Sequence, residues 1–140
     1  MKLTHAPILV SDQDRALKFY AEVLGFEKRQ DYQQPGKARW LTVAPKGQEL
    51  ELAVVRATTK VERPPADALD AGGNRWVFVT DDCPRDAGAL RAKGVRFRGE
   101  APVENPFGVT AYFTDPDGNA LALLQPQSRQ APSTSGSPKA

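Results

Sequence analysis

Residues Phe113 to Leu124 read FTDPDGNALALL, and this stretch decides the fold. Pro116 fixes φ at the first corner of a turn, and Gly118 takes a positive φ. The Asp115, Asp117 and Asn119 side chains reach back to local backbone. Before the turn, Val109, Ala111 and Phe113 alternate with Thr110, Tyr112 and Thr114. After it, Leu121, Leu123 and Leu124 run on with little polarity. The pattern predicts a β-hairpin whose second strand is buried. The same residues contain D-x-D-G, the opening of a calcium loop. Ala and Leu follow where that loop needs further oxygen ligands and a bidentate Glu, so the stretch is read as a structural turn.

Outward from the hairpin the chain repeats itself. Leu3 to Val10 reads as a strand, and Ser11 or Asp12 caps a helix that runs to Leu24. Ala16, Phe19, Tyr20, Val23 and Leu24 lie at helical spacing, and Gly25 stops the helix in a left-handed cap. Strands follow from Phe26, from Arg39 to Ala44 and from Glu49 to Arg56, the last two joined by Pro45-Lys46-Gly47-Gln48. Residues 57–73 hold prolines, charges and glycines and read as a linker. Asn74 to Thr80 is again a strand, and Asp82 with Pro84 opens a helix to Lys93. Gly94 ends that helix, Val95 to Arg98 is the next strand, Pro102 to Phe107 is a loop, and the hairpin closes the second unit. Val10-Ser11-Asp12 corresponds to Val79-Thr80-Asp81, and Gly25-Phe26 to Gly94-Val95. A unit of one strand, one helix and three strands cannot bury both faces of its own sheet, so two of them pair. The domain spans 1–126, with modules at about 1–56 and 74–125. The tail 127–140, rich in Ser and Pro, is expected to be disordered.

Composition excludes several classes. The chain has 140 residues, enough for one domain that buries about two-thirds of its unfolded surface. Apolar residues make up 40% and charged residues 26%, ordinary for a soluble globular protein. A net charge of +2 on scattered Lys and Arg, with no aromatic stacking motif, does not support nucleic-acid binding. Neither GxGxxG nor GxxxxGK[ST] appears, so a glycine-rich phosphate loop is unsupported. The one cysteine, Cys83, suits a reducing compartment. No signal peptide and no membrane-length apolar run is seen, so a cytoplasmic protein is expected.

The sequence resembles the vicinal oxygen chelate superfamily, which includes glyoxalase I, extradiol dioxygenases, fosfomycin-resistance enzymes and bleomycin-resistance proteins. The resemblance rests on His5 with Leu9-Val10-Ser11-Asp12, on Ala16 to Tyr20, on Leu24-Gly25-Phe26, on residues 73–82, and on Tyr112-Phe113 with Asp115 to Asn119. It covers nearly the whole chain up to Gln125. It implies an α+β fold of two βαβββ modules whose sheets form an open half-barrel around a ligand cleft. It also implies a homodimer and, in the enzymes, a divalent metal held by one residue from each of four equivalent strands. The first implied ligand position is His5. The second is Glu51, or Glu49 in the alternative register. The third falls on Arg75 or Asn74, and the fourth on Ala122 or Ala120. A transition-metal site needs three or four protein donors. Arg offers no lone pair and alanine no donor, so the sequence argues against a catalytic metal and calls for no cofactor.

What remains is polar chemistry among aromatic walls. His5 and Glu51 are the candidates for a general-base pair, and Arg75 is the candidate clamp for an anionic group. Trp40, Trp76, Phe107 and Tyr112 are the candidate pocket walls. Cys83, at a helix start with no His nearby in sequence, is a weak nucleophile candidate read as core. The sequence favours a metal-free protein of the bleomycin-resistance kind that holds a small organic molecule. The alternative is a lyase or isomerase of the glyoxalase kind using His5 and Glu51, and a third reading is a ligand sensor without catalysis. No nucleic-acid or membrane partner is expected.

Overall fold

Each half of the chain folds as one strand, one helix and three strands, in the order the repeat predicts. The computed structural model describes residues 1–60 and 75–127. Most of the expected linker, Asn74 and the tail beyond Gln127 lie outside the described residues. The described residues form two compact units, 1–60 with Asp115–Asn119 and 75–114 with 120–127.

The first unit holds β1 (His5–Val10), α1 (Gln13–Lys18), β2 (Glu27–Tyr32), β3 (Trp40–Ala44) and β4 (Glu51–Arg56). Its sheet order is β1-β4-β3-β2, with β1 and β4 parallel and the other pairs antiparallel. Asp12 caps α1 by accepting from the Arg15 N–H. The last turn, Phe19–Val23, widens into a π-helix in which Leu24 N–H reaches the Phe19 carbonyl. Gly25 then ends the helix at φ +78°, the left-handed cap expected from the sequence. Ala6, Ile8 and Val10 are buried on one face of β1, with Leu41, Val43, Leu52 and Val54 from the neighbouring strands and Ala16 and Tyr20 from the helix.

The second unit holds β5 (Arg75–Val79), α2 (Cys83–Ala92), β6 (Val103–Asn105), β7 (Gly108–Thr114) and β8 (Ala120–Pro126). The sheet order is β5-β8-β7-β6, again with the first pair parallel. Asp82 caps α2 through the Arg85 N–H, Pro84 sits in its first turn, and Gly94 follows it at φ +95°. Cys83, Ala87 and Leu90 are the buried face of α2, over Ala111, Phe113, Leu121 and Leu123. Gly108 has φ +141°, and a Cβ there would overlap the Gln125 carbonyl across the β7–β8 ladder, so only glycine fits.

One expected strand is misplaced. Val95 to Arg98 does not form the third strand of this sheet; β6 lies at Val103–Asn105, inside the expected loop. Val95 N–H folds back to the Leu90 carbonyl, and Phe97 makes only a single bridge to Phe113. Gly99, at φ +61°, turns the chain before a ladder can build. Among the described residues no helix is long and apolar enough to cross a membrane.

The Asp115–Asn119 turn belongs to the first unit. Asp115 is 4% exposed and Tyr20 is fully buried. Asp115 Oδ1 accepts from the N–H groups of Asp117 (2.9 Å) and Asn119 (2.8 Å). Its Oδ2 accepts from the Tyr20 hydroxyl (2.7 Å) and from Asn119 Nδ2 (2.8 Å). Asp117 accepts from Ser11 N–H and pairs with Arg15, while Asn119 Nδ2 also donates to the Leu9 carbonyl. The stretch is more than a hairpin turn: it holds the end of β1 and the start of α1.

Two outcomes follow from this packing. Tyr20→Phe removes a hydrogen bond to a buried carboxylate and should cost about 1.5–3 kcal/mol in urea unfolding, the range for charged partners; a loss near zero would show that Asp115 is held by its local turn alone. Cys83 is fully buried, and burial, with Asp86 and Asp82 nearby, pushes its thiol pKa up. The folded thiol therefore keeps its proton above the pH at which the unfolded one ionises, and its contribution to stability is lost as pH rises through that window. A thiol reagent at neutral pH should label Cys83 only as fast as the chain opens, and rapid stoichiometric labelling of the native protein would contradict this.

Candidate functional site

Strand alternation sorts the candidate residues onto faces. In the first unit Ala6, Ile8 and Val10 face the buried side, so His5, Pro7 and Leu9 lie on the other face of β1. Register places Glu51 directly opposite His5, Ala53 opposite Pro7 and Val55 opposite Leu9. Thr42 on β3 stands opposite Ala53, and Trp40, two residues before it, shares that face. Glu51 rather than Glu49 is thus the partner of His5; Glu49 lies before β4 and pairs with Lys2 at 2.6 Å on the surface.

The structure brings three of the predicted residues together here. His5 Nε2 is 3.4 Å from Glu51 Oε1, and the His5 ring is 5.5 Å from the Trp40 ring, centroid to centroid. His5 Nδ1 shares a hydrogen bond of 2.9 Å with Thr4 Oγ1, and Trp40 Nε1 donates to Gln30 Oε1. Glu51 Oε1 is buried and accepts no hydrogen bond, so the 3.4 Å approach of His5 is a charge contact when the ring is protonated but not a bond that satisfies the oxygen.

A residue that sequence reasoning missed completes the cluster. Arg29 Nη1 lies 3.7 Å from Glu51 Oε2. Its Nε donates to Glu27 Oε1 at 3.0 Å, and its Nη2 donates to the Pro45 carbonyl at 3.0 Å and the Gln48 carbonyl at 2.8 Å. The register between β2 and β3 shifts at Lys28/Gln30, so Arg29 is the extra residue of a β-bulge, a feature that re-aims a side chain. A strand sequence of EKRQDY carries no turn or glycine signal for such a bulge.

In the second unit, the residue opposite Arg75 is Ala120, and Ala122 stands opposite Val77 and Tyr112. The Arg75 guanidinium lies over the Tyr112 ring at 4.2 Å, and that of Arg98 at 5.8 Å. These distances are within cation–π range. Arg98, expected from the sequence only as a strand end and not as a site residue, is tied there by its backbone N–H to the Tyr112 carbonyl (2.8 Å). Trp76 follows Arg75 directly and so points to the opposite face of β5, the side of Phe78, opposite the buried Leu121. Phe107 lies between β6 and β7, is 58% exposed, and is not brought to Arg75 or Tyr112 by any ring contact.

The first positions of the two parallel strand pairs therefore read His5 with Glu51 in one sheet and Arg75 with Ala120 in the other. The four-donor metal centre that the resemblance implies does not fit this set, since a guanidinium has no lone pair to give and a methyl group no donor. Among the described residues no group of three or more His, Cys, Asp and Glu is placed to hold a metal ion.

The first unit also has a cavity of about 470 Å³ at the far end of β1 and β4, lined by Ser11, Gln13, Lys37, Arg39 and Arg56 among others. None of His5, Trp40 and Glu51 lines it. Arg39 forks onto both oxygens of Asp31 at 2.8 Å and also reaches Asp14, and this holds the Asp31 carboxyl below the usual carboxylate range.

A family model described as Glyoxalase/Bleomycin resistance protein/Dioxygenase superfamily matches residues 2–123. A probable lactoylglutathione lyase from Synechocystis is 30% identical over 133 residues, covering 93% of this chain and 99% of that protein. An antibiotic binding protein from Streptomyces sp. CB03234 is similar in structure, with a TM-score of 0.73 and 36% identity, covering 91% of this chain and 97% of the other. A member of the same superfamily from Sphaerobacter thermophilus aligns with a TM-score of 0.74 and 32% identity over 89% of this chain and 97% of its own. With two βαβββ units in the described residues and this match along almost its full length, the chain belongs to the glyoxalase/bleomycin resistance protein/dioxygenase superfamily.

Proposed function

We propose that this protein binds a small organic molecule without a complete metal centre, and that His5, Trp40 and Glu51 in one unit and Arg75 and Tyr112 in the other are each candidate ligand-binding residues. The observation that carries the reading is the strand register: Arg75 and Ala120 occupy the positions where the first sheet has His5 and Glu51. A cation stacked on a phenol ring suits a ligand with an anionic or carbonyl group, because stacking uses the guanidinium face while hydrogen bonding uses its edge. The likeness to an antibiotic binding protein supports binding as the activity. Trp76 and Phe107 remain candidate walls of lower geometric support, given the face of one and the exposure of the other. The proposed setting is a reducing, cytoplasmic one, in keeping with the single free thiol.

A second reading has its own observation. His5 and Glu51 stand 3.4 Å apart on adjacent strands, and relatives include proteins named lactoylglutathione lyases, so a lyase or isomerase using this pair is the alternative. Metal analysis of the purified protein tests for a metal site, and a ligand screen with a turnover assay separates the two readings. Stoichiometric Zn or Ni that is lost in His5→Ala would overturn the metal-free reading. With a ligand in hand, Arg75→Ala should weaken binding by about 1–3 kcal/mol, the range for a lost charged hydrogen bond. His5→Ala should change affinity less if the protein only binds, and should abolish turnover if His5 is a base.

We also infer a homodimer. Val77 and Val79 on β5 are 52% and 70% exposed, and β5 is an edge of its sheet. Exposed apolar edges are commonly covered by a closed two-fold pair. Light scattering at micromolar concentration should give about twice the chain mass; a clean monomer would count against this arrangement.

A further inference from the structure

We propose that Glu51 Oε1 is the acceptor for a hydrogen-bond donor, an O–H or N–H group, on the bound molecule, and that Arg29 is the positioning residue that aims it. This rests on the ligand-binding reading above and narrows the ligand class for the first sheet's face. A buried carboxylate oxygen ordinarily has a donor, because leaving it bare costs the full desolvation of the group. Glu51 Oε1 has none among the described residues, while its Oε2 faces Arg29. The same face carries Thr42, whose Oγ1 is also buried without a partner. Thr42 is itself fully buried, whereas the Glu51 side chain keeps 18% exposure, so the unsatisfied carboxylate is the group that a ligand donor completes. The flanking Trp40 ring supplies an apolar wall beside it.

Arg29 is placed to set this geometry rather than to touch the ligand. Its Nη2 is anchored on two carbonyls of the turn between β3 and β4, and its Nε on Glu27. A guanidinium fixed at three points holds the fourth contact, Glu51 Oε2, in one orientation, and the carboxylate plane then turns Oε1 toward His5. Without the bulge at Arg29 the side chain alternation of β2 would run on unbroken and this contact would be lost. With Glu27 and Glu51 against one Arg29, the cluster is net negative when His5 is neutral, which favours a donor over an acceptor on the ligand.

The test uses a matched pair of probes, 2-naphthol and its methyl ether 2-methoxynaphthalene, which differ in one O–H. Binding is followed by the NMR shift of the Trp40 indole N–H in the full chain, so that the signal reports this face. The naphthol should bind about tenfold more tightly than the ether, the factor for one hydrogen bond to a charged acceptor. In Glu51→Leu the two should bind alike. In Arg29→Gln the ratio should fall toward one while both still bind; a general loosening of the fold would weaken both probes together and leave the ratio unchanged. Equal affinities in the unaltered protein would overturn the proposal and leave the binding reading standing. An unchanged ratio in Arg29→Gln would overturn the positioning role. A Trp40 signal that neither probe moves would overturn the proposal together with the placement of a ligand on this face.

Discussion

Four hydrogen bonds end on the carboxylate of Asp115, and one of them crosses 95 residues of sequence to Tyr20. A carboxylate at 4% exposure is tolerated only when its lone pairs are filled, so this turn can sit where it does only with the Tyr20 hydroxyl and the Asn119 amide in place. Tyr20 in turn is carried on the widened π-helical turn that follows α1. The same turn ties Leu9 and Ser11 through Asn119 and Asp117, which fixes the end of β1. His5 is at the other end of that strand, and Glu51 is set by the parallel register with it. The placement of the candidate residues in the first unit thus descends from one buried acid.

The two sheets show what backbone pairing determines and what it leaves open. Each unit has the same strand order with one parallel pair, because ladder hydrogen bonds use main-chain groups and ask nothing of the side chain. At the first position of that pair, His5 and Glu51 give an imidazole and a carboxylate, while Arg75 and Ala120 give a cation and a methyl group. The scaffold survives the exchange, but metal chemistry is far more demanding about donor type than a sheet is about sequence. That asymmetry is why membership of the superfamily does not by itself assign an activity.

Much of the fold could be read from short-range signals. The caps Asp12 and Asp82, the stops at Gly25 and Gly94 and the alternation before the DPDGN turn each act within a few residues, so the sequence displays them directly. His5 and Glu51 are singled out by the family resemblance instead, and the parallel register of β1 and β4 sets them opposite each other. Signals failed where the deciding partner is remote or the deviation is a single residue. Val95 to Arg98 has strand-like composition, but Val95 is claimed by the Leu90 carbonyl and the ladder forms later, at Val103. The bulge at Arg29 depends on β3 across the sheet, and the Tyr20–Asp115 bond depends on two residues that no local window contains together. Trp76 shows the same limit in another form: its type suits a pocket wall, yet a one-residue step from Arg75 sends it to the opposite face of the sheet.

The two faces hold their charged groups in different ways. On the first, a single guanidinium stands against the carboxylates of Glu27 and Glu51, with a histidine that adds positive charge only when protonated. On the second, two guanidiniums lie over one tyrosine ring. A ring quadrupole attracts a cation without neutralising it, so Tyr112 orients the Arg75 guanidinium without cancelling its charge. A carboxylate in the place of Tyr112 would orient the guanidinium as well but would cancel that charge. Stacking on an aromatic ring therefore fixes the direction of a cation by a contact that leaves its charge in place, which is how one tyrosine sets the orientation of an arginine at the first position of the second sheet's parallel pair.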